Sequence, residues 1–241
     1  MAKQRLDQAL VSIGLLATRS QAESYIKLGH VTVNRQVVRK PGQLVTDSDV
    51  LKLTTKEQYV SRAGLKLASV TKTLGLYFKD KVVLDVGSST GGFTDYALQH
   101  GAAKVIAVEV GKDQLHPSLR GNPRIELHEQ TDIKTITELS TPADIVLIDV
   151  SFISLRDILP YITKLVQPQA QIVAMVKPQF EASGSGVKHK GIIKNDRIRR
   201  EILKDFEAWA QKLFITADKA DSSVTGAKGN LERFYLLKVV N

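Results

Sequence analysis

From residue 81 onward, short β-branched runs alternate with segments of helical pattern. The runs are KVVLDVG, KVIAVEVG, RIELHEQ, ADIVLIDVSF, QIVAMVKP and RFYLLKVV. Strands that alternate with helices form parallel sheets with right-handed crossovers. These six runs therefore predict an α/β fold, and they suit a doubly wound sheet of the seven-stranded type.

A glycine-rich loop, DVGSSTGG, follows the first of these strands. In doubly wound sheets, ligands bind at the carboxyl ends of the strands, beside a reversal in strand order. Glycines there allow a tight turn and a close approach of the backbone to a ligand. The candidate ligand-binding residues are Asp85, Gly87, Ser88, Ser89, Thr90, Gly91 and Gly92. Alone, this loop indicates only a nucleotide-like ligand.

Two other kinds of nucleotide site compete with this interpretation. The G-x-G-x-x-G pattern of NAD-binding loops is absent, and so is the Gly-Lys-Ser/Thr of a Walker loop. Glu109 ends the next strand, where a carboxylate can accept hydrogen bonds from ribose hydroxyls. NAD and S-adenosylmethionine sites share that feature, so Glu109 indicates a nucleoside without distinguishing them.

Four charged residues are expected at the same carboxyl edge. Asp149 ends the strand IVLID, and Lys177 ends IVAMVK. Glu232 precedes the last strand and lies at this edge if that strand is antiparallel, and Lys66 lies on a helix just before the sheet. Each could cap its strand in solvent. However, an otherwise apolar strand rarely ends in an inward charge without a function, so we expect the four to converge near the glycine loop.

The first segment has a different pattern, and we predict domains over residues 1–58 and 59–241. Two amphipathic helices are expected, terminated by Gly14 and Gly29. Thr18 and Ser20 are candidate caps of the second helix, with Glu23 completing a capping box after Ser20. The alternating VTVNRQVV then predicts a hairpin.

Charge and composition limit the partners. The net charge is +9, and residues 1–60 hold nine Lys or Arg against five Asp or Glu. This excess favours a polyanion such as nucleic acid. The sequence has no cysteine, which excludes disulfides and thiolate chemistry. No apolar run approaches the roughly 18 residues of a membrane helix, and we expect no signal peptide in the first residues. We expect a cytoplasmic protein without a metal or a membrane partner.

The first segment resembles the RNA-binding domain named after small-subunit ribosomal protein S-four. The matching words are RLD, TRS, IKLG, VTVN and KP. In that family the second helix and the next strand face RNA, which implies phosphate contacts by Arg5, Arg19, Lys27, Arg35 and Lys40. Arg35 stands where the family usually has glycine after the turn asparagine. A turn with positive φ tolerates glycine best, so we expect a looser turn or a phosphate contact by Arg35.

The rest of the chain resembles the TlyA, or hemolysin-A-like, family, which joins an S-four domain to an FtsJ-type ribose 2′-O-methyltransferase. The words YVSRAGLKL, LDVGSSTGGFTD, IDVSFISL, VKPQFE and GNLERF carry the match. The resemblance implies a catalytic tetrad of Lys66, Asp149, Lys177 and Glu232. It also implies S-adenosylmethionine as cofactor, with Glu109 and Asp132 among its contacts. Ala63 and Glu109 depart from the more usual Gly and Asp, which leaves the tetrad intact.

The implied reaction is 2′-O-methylation of cytidine in the RNA of one or both ribosomal subunits. A methyl group on a sulfonium is already activated, so positioning and proton removal remain. We hypothesise that Lys177 is the base or orienting group and that Lys66 acts as a neighbouring cation that contacts a phosphate. Asp149 and Glu232 then orient the two lysines.

Residues 181–194 are polar and glycine-rich, which predicts a mobile loop over the site. Lys188 and Lys190 there, and Arg62 before the catalytic helix, are further candidates for RNA contact, although a solvated helix start fits the basic cluster equally well.

Two other functions compete with methyl transfer to RNA. One is an RNA-binding ribosome-assembly factor without catalysis. The other is a membrane-active hemolysin, for which no amphipathic membrane segment is visible. No oligomeric state is implied.

Overall fold

The computed structural model describes residues 3–55, 58–182, 191–226 and 229–240. The chain divides into two compact units, Met1–Arg62 and Ala63–Asn241. Tyr59 is buried in the first unit, where its N–H donates to the Tyr25 hydroxyl (3.3 Å) and its carbonyl accepts from the Gln21 amide (2.7 Å). A domain boundary between residues 58 and 59 stays a prediction, which limited proteolysis would test.

In its described residues, the first unit contains two helices and two small antiparallel sheets. Its helices are α1 (Leu6–Ser12) and α2 (Arg19–Leu28). The strands of one sheet are β3 (Gln36–Val37), β2 (Val31–Val33) and β5 (Leu51–Leu53), and the other sheet pairs β1 (Gln4–Arg5) with β4 (Leu44–Val45). Large apolar side chains from both helices and from β2 are fully buried and form the core. The predicted order of helix, helix and hairpin matches this arrangement.

The start of α2 differs from the expected capping box. Thr18 is the N-cap, and its hydroxyl accepts from Gln21 N–H (3.2 Å), while the Gln21 side chain accepts from Ala17 N–H (3.0 Å). The box of Ser20 and Glu23 is therefore wrong. Ser20 already lies inside the helix, so Gln21 takes the third position from the cap.

The hairpin turn is tight although it lacks glycine. Asn34 (φ 52°) and Arg35 (φ 70°) both adopt the left-handed conformation between β2 and β3, as a two-residue type I′ turn requires. The expected looser turn is therefore wrong. The Asn34 side chain donates to Asp49 (2.7 Å) and accepts from Val50 N–H (2.9 Å), which stabilises this conformation.

The second unit is built on a mixed seven-stranded sheet with the order β11-β12-β10-β9-β6-β7-β8 in the described part of the chain. Strands β6 to β10 run parallel, and β12 is antiparallel to both of its neighbours. The strands are β6 (Val82–Val86), β7 (Lys104–Val108), β8 (Ile125–His128), β9 (Ile145–Ile148), β10 (Gln171–Val176), β11 (Phe214–Asp221) and β12 (Arg233–Val239). This agrees with the predicted fold class.

Helices and the core complete the second unit. The helices are α3 (Arg62–Thr71), α4 (Gly92–Gln99), α5 (Leu159–Leu165), α6 (Pro178–Glu181) and α7 (Asp196–Ala210). Apolar side chains of the central strands pack against Phe206 of α7 and Tyr235 of β12, each large side chain contributing about 1.5–3 kcal/mol by burial. The chain runs outward from β6 to β8 and then returns to β9 on the other side of β6. The ends of β6 and β9 therefore flank the switch point at which ligands bind in such sheets.

Candidate active site

The loop after β6 turns sharply through three residues in the left-handed region, Gly87 (φ 79°), Ser89 (φ 47°) and Gly91 (φ 88°). Gly92 then begins α4. A Cβ atom at position 87 would lie 2.9 Å from the backbone oxygen of Asp149. Glycine at this position therefore lets the loop contact the end of β9 through the backbone alone.

Two buried polar atoms at this loop have no hydrogen-bond partner among the described residues, Asp85 Oδ1 and Ser88 Oγ. The other carboxylate oxygen of Asp85 accepts from the Thr94 hydroxyl (2.6 Å). Burial raises the pKa of Asp85 to about 7, and the nearby charges of Asp149 and Glu109 act in the same direction. Because buried polar atoms are normally satisfied, these two mark a place suited to a polar or cationic ligand.

Glu109 links the glycine loop to the end of β7. Its nearly buried carboxylate accepts from the N–H groups of Ser89 and Gly111, both at 2.8 Å. Each carboxylate oxygen can accept a second hydrogen bond. Glu109 therefore retains hydrogen-bonding capacity for ribose hydroxyls, and that contact stays a prediction.

A cavity of about 540 Å³ lies at the carboxyl edge. Its polar lining includes Gly87, Ser89, Glu109, Asp132, Asp149 and Ser151, and its apolar lining includes Val110, Ile133 and Ile153. A pocket with apolar walls and a few polar groups is typical of small-molecule and cofactor sites. The other predicted cofactor residues are absent from the lining and belong to the adjoining strand, loop and helix start: Asp85, Ser88, Thr90, Gly91 and Gly92.

The four charged residues of the expected tetrad form two ion pairs. Lys177 Nζ lies 2.6 Å from Asp149 Oδ1, and Lys66 Nζ lies 2.6 Å from Glu232 Oε2. All four side chains are largely buried, with Asp149 the most exposed at 15%. Removing one partner of a buried pair leaves an uncompensated charge. Each lysine is therefore held inside the unit by its own carboxylate.

Strand register explains how distant residues reach one edge. Ile148 of β9 pairs with Val86 of β6 and with Ala174 of β10, and Val176 of β10 pairs with Arg233 of β12. Asp149 follows Ile148, Lys177 follows Val176, and Glu232 precedes Arg233. Because β12 is antiparallel, its beginning meets the ends of the parallel strands.

Three residues that the sequence did not single out make contacts in this region. Lys177 Nζ donates to Ser151 Oγ (2.7 Å). Glu181 accepts from the Ser154 hydroxyl (2.6 Å) and from Leu155 N–H (2.7 Å), although burial raises the pKa of Glu181. Glu181 thereby ties the end of α6, which follows Lys177, to the segment after Asp149.

Asn230 is the third of these residues. It accepts from Ile193 N–H (2.8 Å) and donates to the Gly191 carbonyl (2.9 Å). Asn230 lies two residues before Glu232, and it therefore fixes the segment 191–193 next to the start of β12. The word GNLERF contained Asn230, but no spacing rule marks a residue that binds backbone 37 to 39 positions away.

In the first unit, Asp7 is fully buried between two guanidinium groups. Arg5 lies 2.7 Å and Arg19 2.9 Å from its carboxylate. Hydrogen bonding to Arg5, with the help of Arg19, lowers the pKa of Asp7. The arginine side chains remain 40% and 53% exposed, respectively. Asp7 therefore holds two cations side by side at the surface.

The other candidates for RNA contact vary in exposure. Lys27 is exposed and lies 3.9 Å from Glu23, Arg35 and Lys40 are exposed, and Arg62 is half-buried. Lys188 and Lys190 lie outside the described residues, as does most of the loop predicted over 181–194. The RNA-binding role of all these residues stays a prediction.

No helix in the described ranges is long and apolar enough to cross a membrane. Likewise, among the residues that the structure describes, no group of three or more His, Asp or Glu side chains is arranged to hold a metal ion.

Two protein families match this chain. Residues 59–239 match the FtsJ-like methyltransferases, and residues 4–51 match the S4 domain. This chain belongs to the FtsJ-like methyltransferase family. The expected family and fold class are therefore confirmed, with an S4 domain preceding the methyltransferase domain.

Relatives of this FtsJ-like methyltransferase match both parts of the chain. It is 42% identical to the 23S rRNA (cytidine-2′-O)-methyltransferase TlyA of Campylobacter jejuni, over 80% of this chain and 75% of that protein. It is 34% identical to the 16S/23S rRNA (cytidine-2′-O)-methyltransferase TlyA of Mycobacterium tuberculosis, over 97% and 89%. A solved structure of a hemolysin candidate from Streptococcus thermophilus has a TM-score of 0.73 at 37% identity, covering 100% of this chain and 90% of that one.

Proposed function

We propose that this FtsJ-like methyltransferase transfers a methyl group from S-adenosylmethionine to the 2′-hydroxyl of a cytidine ribose in ribosomal RNA. The observation that carries the proposal is the buried pair of Lys177 and Asp149, because Asp149 also lines the 540 Å³ cavity. A lysine suited to act on an acceptor hydroxyl thus adjoins a nucleoside-sized pocket. The two TlyA relatives are named for this reaction.

The residues around the cavity fit S-adenosylmethionine. Glu109 has capacity for ribose hydroxyls, and the apolar residues Val110, Ile133 and Ile153 suit an adenine. Gly87 lets the loop lie against the end of β9, which sets the floor of the cavity lining. Asp85 and Ser88, each with a buried oxygen unpartnered among the described residues, adjoin this lining and make the surroundings of the cavity polar. Asp132, on the same lining, is a further candidate contact. When bound, S-adenosylmethionine supplies a methyl group that is already activated.

The protein's own task is then to position the ribose oxygen and to handle its proton. Lys177 is the group we assign to the acceptor hydroxyl, as base or as orienting group, with Asp149 fixing its Nζ. Lys66, fixed by Glu232, supplies a second positive charge at this edge for the adjoining phosphate.

Ribosomal RNA as substrate is supported by the charge of the chain. The net charge of +9 and the surface pair of Arg5 and Arg19 suit a phosphate backbone. The names of the relatives differ in subunit, 23S in one and 16S/23S in the other, so the large subunit is the first substrate to test. If ribosomal RNA is the substrate, the protein acts in the cytoplasm.

The test is methyl transfer from tritiated S-adenosylmethionine to isolated small and large ribosomal subunits, followed by mass mapping of the labelled nucleotide. We expect label on the 2′-oxygen of a cytidine in the large subunit or in both. Label on a base, or no label on either subunit, would overturn the proposal.

The cofactor has a test of its own. Calorimetric titration should show binding of S-adenosylmethionine and S-adenosylhomocysteine, and Gly87→Val should abolish it, because a side chain there collides with the end of β9. Binding that survives Gly87→Val would place the cofactor elsewhere.

A further inference from the structure

Ser151 lies two residues after Asp149 and makes a contact that suggests a role in the reaction. We infer that, in the free protein, the Ser151 hydroxyl occupies the position on Lys177 that the acceptor ribose hydroxyl takes in the RNA complex. The inference rests on the proposed function, since it concerns how the same lysine meets its substrate.

The contacts of Lys177 are the first support. Its ammonium group lies 2.6 Å from Asp149 Oδ1, but that oxygen is not aligned as a hydrogen-bond acceptor. The aligned hydrogen bond goes to Ser151 Oγ at 2.7 Å, and the Phe180 ring lies 6.0 Å away. Lys177 is only 8% exposed in this arrangement. Within the described ranges, Ser151 Oγ is the uncharged oxygen that accepts from this lysine.

The chemical likeness of the two oxygens is the second support. The serine hydroxyl and a ribose 2′-hydroxyl are both aliphatic alcohols that can accept from an ammonium group. When a substrate oxygen replaces the serine oxygen, Lys177 therefore keeps the same number of hydrogen bonds, and the new acceptor is again an alcohol.

The position of Ser151 is the third support. Ser151 is exposed and lines the cofactor cavity together with Asp149. Ser151 therefore contacts Lys177 and lines the cavity at once, as an acceptor hydroxyl must if it is to react with a cofactor in that cavity. A serine side chain leaves by rotation about a single bond, which is a small change at an exposed position.

Displacement predicts a competition that can be measured. In the wild type, Ser151 can return to Lys177 when the RNA lacks a 2′-hydroxyl, so a 2′-deoxy target costs little affinity. In Ser151→Ala the ammonium group keeps its ion pair with Asp149 but has lost its aligned acceptor, and only an RNA with the hydroxyl restores one. Loss of a hydrogen bond from a charged donor costs at least about tenfold in affinity.

The experiment uses two versions of the RNA fragment that the wild type methylates, identical except for ribose or 2′-deoxyribose at the mapped nucleotide. Dissociation constants are measured with S-adenosylhomocysteine present. The ratio of deoxy to ribo dissociation constants should be at least about tenfold larger for Ser151→Ala than for wild type.

Two further variants serve as controls. Ser151→Thr keeps the hydroxyl and should keep the wild-type ratio. Ser154→Ala removes a hydroxyl of the same segment that bonds Glu181 instead of Lys177, and its ratio should also be that of wild type. Thermal unfolding of each variant checks the fold.

The outcomes separate the two claims. If the wild type methylates a ribose but Ser151→Ala keeps the wild-type ratio, the displacement inference is wrong and the proposed function stands. A large loss of turnover in Ser151→Ala with an unchanged ratio would mean that Ser151 stays on Lys177 throughout, which also overturns the inference. If the wild type methylates a base, both claims fall.

Discussion

The two units each contain a fully buried aspartate, and the surroundings give the two residues opposite properties. Asp7 lies between Arg5 and Arg19, and their charges lower its pKa. Asp85 contacts the neutral Thr94, and burial raises its pKa to about 7. Asp7 therefore stays ionised and holds two exposed arginines together. Asp85 can instead be protonated near neutral pH until a cation binds nearby.

The same contrast holds for the cations. Arg5 and Arg19 keep 40% and 53% of their side chains exposed, whereas Lys66 and Lys177 keep only about a tenth. Exposed cations can bind a polyanion but are screened by salt, and buried ones act on a group brought to them. The first unit is thus suited to recognition and the second to chemistry.

Lys177→Ala is the variant with the largest expected effect, and it tests whether the second unit carries the chemistry. We expect turnover to fall by at least about a hundredfold, the lower range for loss of a proton-transfer group, with RNA and S-adenosylhomocysteine affinity little changed. Single-turnover transfer of tritiated methyl measures it. Arg19→Ala is the matched control, since it should weaken RNA binding and spare the rate at saturating RNA. Near-normal turnover in Lys177→Ala would break the assignment.

Asp85→Asn tests the neutralisable aspartate. A carboxyl group whose pKa is raised in the folded protein retains a proton that the unfolded chain has lost. The free energy of unfolding of the wild type therefore falls as the pH rises from about 4 to about 7, and asparagine removes this dependence. The free energy of unfolding of the variant, relative to that of wild type, should therefore rise by on the order of a few kcal/mol over the same pH range, measured by urea unfolding at several pH values. Asp80→Asn, at an exposed aspartate, should track wild type, and a parallel profile for Asp85→Asn would contradict the expectation.

Asp7→Asn tests the permanent anion. The variant has one more positive charge overall, yet its affinity for a ribosomal RNA fragment should fall by about tenfold, the scale of one charge-assisted hydrogen bond. The reason is that Arg5 and Arg19 are no longer held together. Glu23→Gln also removes an acid near Arg19 but leaves the pair intact, so its affinity should stay or rise. Anisotropy titration at fixed salt measures both, and a gain for Asp7→Asn would show that net charge alone decides.

The smallest expected effect is that of Arg35→Gly. Glycine adopts φ near 70° without the strain of a side chain, so the first unit should gain about 1 kcal/mol. If Arg35 contacts a phosphate, RNA affinity falls at the same time. Thermal unfolding and RNA titration on one sample measure both effects, and unchanged RNA affinity would remove Arg35 from the interface.

The strand pattern predicted the sheet because periodicity is a local property. Asp85, Asp149 and Lys177 each end or interrupt an apolar run, and topology alone brings such ends to one edge. The pattern did not show which lysine pairs with which carboxylate, because Lys66 and Glu232 lie 166 positions apart in the sequence.

Local rules failed where a distant partner decides the conformation. A turn rule favours glycine after Asn34, but Arg35 adopts the left-handed conformation there, next to an Asn34 that is fixed by its contacts with Asp49 and Val50. The capping rule admitted Ser20 as well as Thr18, and only the backbone shows where α2 begins. The contact of Ser151 with Lys177 spans 26 positions, and no periodicity marks such a contact.

The contact between Gly87 and the backbone oxygen of Asp149 has a consequence for inhibitors of this enzyme. A compound that packs against the Cα atom of Gly87 could not be evaded by enlarging that residue, because the new side chain would strike the strand end that carries Asp149. Resistance at this position would cost the enzyme its catalytic geometry.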